Sequence, residues 1–143
     1  VLRMRLGEAL ILFDGAGSAL RTRIEGIDGT RVSVVVDGPE PVVPEPSVAV
    51  RVCQALPKGG EKVEQVLQHG TELGAAEFGL FLSARCVARP DPAKLPDRLE
   101  RWRRIVVGAA EQSHRAHLPR VSWSGSAPGF GDALSLVLHE GAE

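Results

Sequence analysis

The sequence predicts an α+β chain of two domains, a small antiparallel β-sheet or barrel followed by an α/β unit built on a parallel sheet. Three observations predict it. Residues 20–25 and 31–36 alternate apolar with polar side chains, the period of two of a half-buried strand. Residues 37–47 hold four prolines (Pro39, Pro41, Pro44 and Pro46), which cannot donate to a sheet ladder and which stiffen an extended chain. From residue 48 the pattern becomes strands alternating with helical repeats, the order that produces parallel sheets with right-handed crossovers. The predicted division is 1–43 for the β domain, 44–47 for a linker and 48–143 for the α/β domain.

Each element has its own warrant. Ala9 to Phe13 is an apolar run closed by the turn cluster Asp14-Gly15-Ala16-Gly17-Ser18. Leu20, Thr22 and Ile24 alternate with Arg21, Arg23 and Glu25 in a second strand, and Val32, Val34 and Val36 mark a third beyond Asp28-Gly29-Thr30. Val48 to Ala55 reads as a strand. Pro57-Lys58-Gly59-Gly60 then turns into a helix over 61–73, with Val63, Val66, Leu67 and Leu73 on one face and Gly74 placed to end it. Glu77 to Leu82 is a strand, and a loop with three prolines runs from Ala88 to Pro96. A long helix follows from an Asp97 N-cap to about His114, with Leu99, Trp102, Val106, Ala109 and Ala110 as its apolar stripe. Arg120 to Trp123 and Leu134 to Leu138 complete the strands. The ten residues between these last two are short for a parallel crossover, so either the two strands are not parallel neighbours or residues are missing between them.

Composition narrows the function. No run approaches the roughly 20 apolar residues that span a bilayer, and Val1 to Arg5 has no signal-peptide character, so a cytoplasmic protein without membrane contact is expected. Cys53 and Cys86 have no CxxC partner and read as free thiols, with a disulfide as the alternative. His114 and His117 have no third ligand at a suggestive spacing, and no metal is expected. The net charge of −1 conceals a basic segment: residues 85–120 carry nine Lys or Arg against four Asp or Glu. Such a segment suits a nucleic-acid backbone, and equally a solvated helix face. Lys58-Gly59-Gly60 opens a helix where phosphates can meet backbone N–H groups, although a plain strand-to-helix turn has the same look. Glu111-Gln112-Ser113-His114-Arg115 gathers groups able to clamp a phosphate or read a base edge, or simply to finish a helix.

Taken together these strings are more specific than their parts. Gln54-Ala55-Leu56-Pro57-Lys58-Gly59, Gln68-His69-Gly70-Thr71-Glu72-Leu73-Gly74 and Ser83-Ala84-Arg85-Cys86-Val87 resemble consecutive blocks of the RsmE-type 16S rRNA uridine-N3 methyltransferases. Arg101-Trp102-Arg103-Arg104-Ile105 and Ala109-Ala110-Glu111-Gln112-Ser113-His114-Arg115 continue the resemblance in order, with His114 where the family usually has glycine. Val1-Leu2-Arg3 and Leu12-Phe13-Asp14-Gly15 are similar to the family's N-terminal domain. The resemblance implies a PUA-like β-barrel and a partial SPOUT-type α/β domain, with S-adenosylmethionine as cofactor, a homodimer, and a uridine of 16S rRNA in the small ribosomal subunit as acceptor. It also implies that the sequence is truncated at both ends. Family members have a segment before the equivalent of Val1, and they continue past His139 to Glu143 into a glycine-rich loop that forms a trefoil knot and most of the cofactor pocket.

On this reading Lys58, Arg85 and Arg115 hold RNA phosphates, and Glu111 and Gln112 order the acceptor pocket. Arg98, Arg101 and Arg104 add a salt-dependent, sequence-independent contribution. Catalytic and cofactor-binding residues stay unassigned. The alternative is a non-catalytic RNA-binding module acting in ribosome assembly. A small-molecule enzyme using the Lys58 turn is disfavoured, because no general acid–base pair stands out.

Overall fold

The computed structural model describes residues 4–86, 89–127, 129 and 134–138. Two three-stranded sheets form. The first is antiparallel in the order β1 (Ala9–Phe13), β2 (Ala19–Asp28), β3 (Arg31–Pro39). Its first turn is held by Asp14, whose Oδ1 accepts from the Ala16 and Ser18 amides at 2.7 and 3.0 Å. These bonds, the one from Ser18 first, hold the Asp14 carboxyl below the usual range. The β2–β3 ladder shifts register between Arg21 and Thr22 and again between Ile24 and Gly26. Such bulges break the period of two, which is why the alternation ends at Val36 while the strand runs on to Pro39.

The second sheet is parallel in the order β4 (Arg51–Ala55), β5 (Glu77–Phe81), β6 (Arg120–Ser124). Helices α1 (Gly60–Glu72) and α2 (Leu95–Gln112) connect its strands and pack against one another. One core results: Phe78, Leu80 and Val121 from the sheet meet Val63 and Leu67 of α1 and Trp102 and Val106 of α2. Burying each of these large side chains contributes about 1.5–3 kcal/mol.

Several expectations are corrected. Leu73, expected on the buried face of α1, is 84% exposed, because the helix ends one residue earlier. Thr71 takes the buried place, its hydroxyl donating to the Leu67 carbonyl at 2.7 Å. Asp97 is not the N-cap of α2. The helix starts at Leu95, directly after a 3₁₀ turn at Pro92–Lys94 that Asp91 caps by accepting from the Ala93 amide at 3.0 Å. Pro96 therefore lies inside the first turn, where its missing N–H costs nothing. β4 starts at Arg51, not Val48, since the parallel ladder with β5 begins there. Residues 134–138 lie in no strand among the described residues, and Leu134, Leu136, Val137 and Leu138 are exposed. A strand needs a neighbour to satisfy its ladder, so the short connection to β6 raises no conflict. Both cysteines are free, Cys53 exposed and Cys86 half-buried.

Candidate nucleic-acid interface

Each crossover helix runs antiparallel to the strands it joins, so α1 and α2 start at the carboxyl edge of the parallel sheet and finish at its amino edge. This separates the candidate residues. Lys58 and Arg85 are at the carboxyl edge, where ligands of open α/β sheets bind. Glu111, Gln112 and Arg115 are at the amino edge, a strand length away, or roughly 16 Å for five residues. The five residues therefore do not converge on one pocket within a single chain.

At the carboxyl edge, the loops after β4 and β5 are stitched together. The Leu56 amide donates to the Phe81 carbonyl at 2.9 Å, and the Cys86 thiol donates to the Leu56 carbonyl at 3.0 Å. The same sulfur accepts from the Ser83 amide at 3.2 Å and stands 3.3 Å from the Ser83 hydroxyl. The Ser83 side-chain contact is the largest cause of a lowered Cys86 pKa. Lys58 and Arg85 ride on these two tethered loops, are exposed, and have no ion-pair partner among the described residues.

The arginines of α2 are less free than the sequence suggests. Arg101 pairs with Glu64 of α1 at 2.6 Å, Arg104 approaches Glu100 at 3.7 Å, and Arg98 lies 6.0 Å above the Trp102 ring. Exposed pairs of this kind cost little to break, so these side chains remain available to phosphates. Arg103, not singled out from the sequence, is exposed and has no ion pair among the described residues. Its position one step off the Arg98-Arg101-Arg104 stripe was the available signal.

Arg115 has a different occupation from the one the sequence suggests. It is 7% exposed, and all its N–H groups are used. Nε donates to both Glu45 oxygens at 2.9 and 3.1 Å, and Nη1 to the Thr71 and Ala75 carbonyls at 3.1 and 2.7 Å. Nη2 reaches Glu45 and the Gly74 carbonyl. No donor is left for a phosphate. The hydrogen bonds from Arg115 hold the Glu45 carboxyl below the usual glutamate range, and His117 Nδ1 stands 3.8 Å from the same carboxylate. Glu45, in the proline-rich connection, was not anticipated, because a lone acid between prolines carries no local signal. Glu111 and Gln112 are exposed at this end. An open cleft of about 540 Å³ also runs along β4 and α1, lined by Val52, Gln54, Lys62, Val66 and His69 among others.

Residues 44–139 match a family described as an RNA methyltransferase domain, and residues 1–37 match one described as an RNA methyltransferase PUA domain. The chain belongs to the RNA methyltransferase family. It is 40% identical over 153 aligned positions to the ribosomal RNA small subunit methyltransferase E of Mycobacterium tuberculosis, covering 99% of this chain and 57% of that protein. The Bacillus subtilis protein of the same name is 36% identical over 121 positions, covering 85% and 47%. Among solved structures, a ribosomal RNA small subunit methyltransferase E from Neisseria gonorrhoeae bound to S-adenosylmethionine superposes with a TM-score of 0.78 at 31% identity, covering 85% of this chain and 51% of that one. A Legionella pneumophila methyltransferase with the same cofactor bound gives 0.79 at 32% identity, covering 85% and 50%. The chain thus spans about half the length of the curated relatives it matches. A PUA-like unit followed by a methyltransferase unit accounts for its two sheets.

Proposed function

We propose that this methyltransferase acts in S-adenosylmethionine-dependent methylation of uridine N3 in the 16S rRNA of the small ribosomal subunit, as a cytoplasmic homodimer. The observation that carries the reading is the paired match, PUA-like unit and methyltransferase unit in order, to relatives named for small-subunit rRNA methylation. The units divide functionally at 44–47.

The chemistry sets requirements on the chain. N3 lies on the Watson–Crick edge of uracil, so the base must be unpaired or flipped out before it can react. Holding the base that way requires phosphate contacts on either side of it. Lys58 and Arg85 fit this role, because they are exposed cations without an ion-pair partner among the described residues, on loops that Cys86 holds together. Arg98, Arg101, Arg103 and Arg104 add a diffuse basic field along α2. The cofactor would supply an electrophilic methyl group on a sulfonium. An adenine nucleoside needs an enclosed slot, whereas the cleft along β4 and α1 is open and lies beside α1, not between the carboxyl-edge loops. The described residues alone do not fit the cofactor. Exposed Glu111 and Gln112 remain candidates for ordering an acceptor base, from the amino edge.

The test is to incubate the protein with S-adenosylmethionine and unmethylated small ribosomal subunits, then to identify rRNA nucleosides by mass spectrometry. N3-methyluridine is the expected product. A methyl group on another atom would overturn the uridine-N3 assignment. Retention on the subunits without any transfer would favour the RNA-binding module instead.

A further inference from the structure

The segment from His114 to Leu118 belongs to both halves of the molecule. It leaves α2 and enters β6, yet it also packs on the β1–β2 turn. The Gly17 amide donates to the Ala116 carbonyl at 3.3 Å, and the Leu118 amide donates to the Gly15 carbonyl at 3.0 Å. Bridges pair His117 with Gly15 and Ala16. From the other side Arg115 seizes Glu45 in the connection between the two sheets.

The fit at this junction is close. A Cβ on Gly17 would lie 2.2 Å from His117 Cε1, one on Gly15 would lie 2.8 Å from Leu118 Cδ1, and one on Gly74 would lie 2.6 Å from Pro46 Cγ. All three glycines have positive φ. Three independent points of the PUA-like unit and its connection thus touch the methyltransferase unit with no space for a methyl group. A flexible tether would not need this, and two proline-stiffened units merely strung together would not have it.

We propose that Glu45, Arg115 and His117 are positioning residues: they lock the PUA-like unit to the amino edge of the parallel sheet. The lock fixes its distance from Lys58 and Arg85 at the carboxyl edge. This rests on the RNA reading above. Two RNA-contacting surfaces held at a fixed separation act as a gauge for one RNA shape. They bind it without the ordering cost that a loose pair would meet.

Charge gives the idea a sign. Glu45 is an anion, and removing an anion from an RNA-binding protein strengthens phosphate attraction. If Glu45 sets geometry instead, Glu45→Gln weakens binding. Gly17→Ala alters no charge and wedges the same junction from the opposite unit.

The experiment uses the whole chain and each variant. Amide hydrogen exchange is read by NMR at Leu118 and at core amides such as Leu56 and Ala75. Affinity for unmethylated small ribosomal subunits is read at fixed salt. In both variants the Leu118 amide is expected to lose roughly tenfold more protection than the core amides do, and affinity to fall roughly tenfold. Unchanged exchange at Leu118 in both variants would show that these residues do not hold the joint. An opened joint with unchanged or stronger binding would show that the separation is not used. A parent chain that ignores the subunits would overturn the RNA reading and the purpose given to the lock, while the exchange data still decide whether the lock exists.

Discussion

The two ends of the parallel sheet treat positive charge in opposite ways. At the amino edge, Arg115 is buried with every N–H bonded, and its partner Glu45 is shared with His117. At the carboxyl edge, Lys58 and Arg85 stand exposed without an ion-pair partner among the described residues. The first arrangement is stability and orientation; the second is capacity to bind. Arginine occurs at both edges, buried and fully bonded at one and exposed at the other, and burial decides which of the two jobs it can do.

The sharpest way to break the comparison is Arg115→Ala. It leaves the Glu45 carboxylate and the carbonyls of Thr71 and Ala75 without their donor inside the fold. Glu45 is part-exposed, so stranding these acceptors is expected to cost about 2–3 kcal/mol. The expected outcome is a urea midpoint shifted to match, with the slope of the transition preserved. An unchanged midpoint with lost RNA binding would restore Arg115 to the phosphate role that the sequence suggests.

That reassignment shows where sequence reasoning reached and where it stopped. Strands of period two and the buried stripe of α2 were legible, because Trp102, Val106, Ala109 and Ala110 repeat at helical spacing and bury as expected. The bulges in β2 and β3 were not, since an inserted residue erases the period that reveals a strand. Apolar alternation over residues 134–138 reads as a strand, but pairing is a property of neighbours and not of the segment. Lys58 and Arg85 stand out in their blocks as cations, and the structure leaves both exposed. Arg115 stands out too, but its partner Glu45 is 70 residues away, and no local pattern connects them. A long-range ion pair is invisible to spacing.

Acid should weaken the amino edge selectively. The Glu45 carboxyl is held below its unfolded value of about 4.3, first by hydrogen bonds from Arg115. A depressed carboxyl contributes stability that is fully present above the unfolded value and lost as pH falls through the folded one. The parent should therefore exceed Glu45→Gln by about 2 kcal/mol at neutral pH. The gap should close as pH drops through the range below the ordinary glutamate value. Asp14, Asp37 and Glu72 are lowered as well, but they are common to both proteins and cancel in the difference. Denaturant midpoints of both proteins across this range test it, and a gap independent of pH would show that the ion pair contributes nothing through Glu45.

His114 offers a gain instead of a loss. Its φ of 55° lies in the left-handed region, where a side chain costs about 1 kcal/mol that glycine avoids. The residue is exposed, so little packing is forfeited. His114→Gly should raise stability by at most about 0.5 kcal/mol after the unfolded chain's extra freedom is counted. Thermal unfolding would show it, and a lower midpoint would mean that the His114 ring makes contacts that outweigh the backbone.

The carboxyl edge should barely register in stability. Lys58→Ala and Arg85→Ala remove exposed side chains without an ion pair among the described residues, and each is expected to stay within about 0.5 kcal/mol of the parent. Their effect belongs to binding: if each neutralises one phosphate, each substitution lowers the slope of log affinity against log salt by about one, uniformly across RNA sequences. Cys86→Ala provides the control within the same edge. It keeps both cations but unties the loop of Ser83 from the Leu56 carbonyl, so affinity should fall while the salt slope stays that of the parent. A slope unchanged in the Lys58 and Arg85 variants would mean that free cations at this edge are only solvated surface. The contrast between the two ends would then reduce to one ordered edge and one idle one.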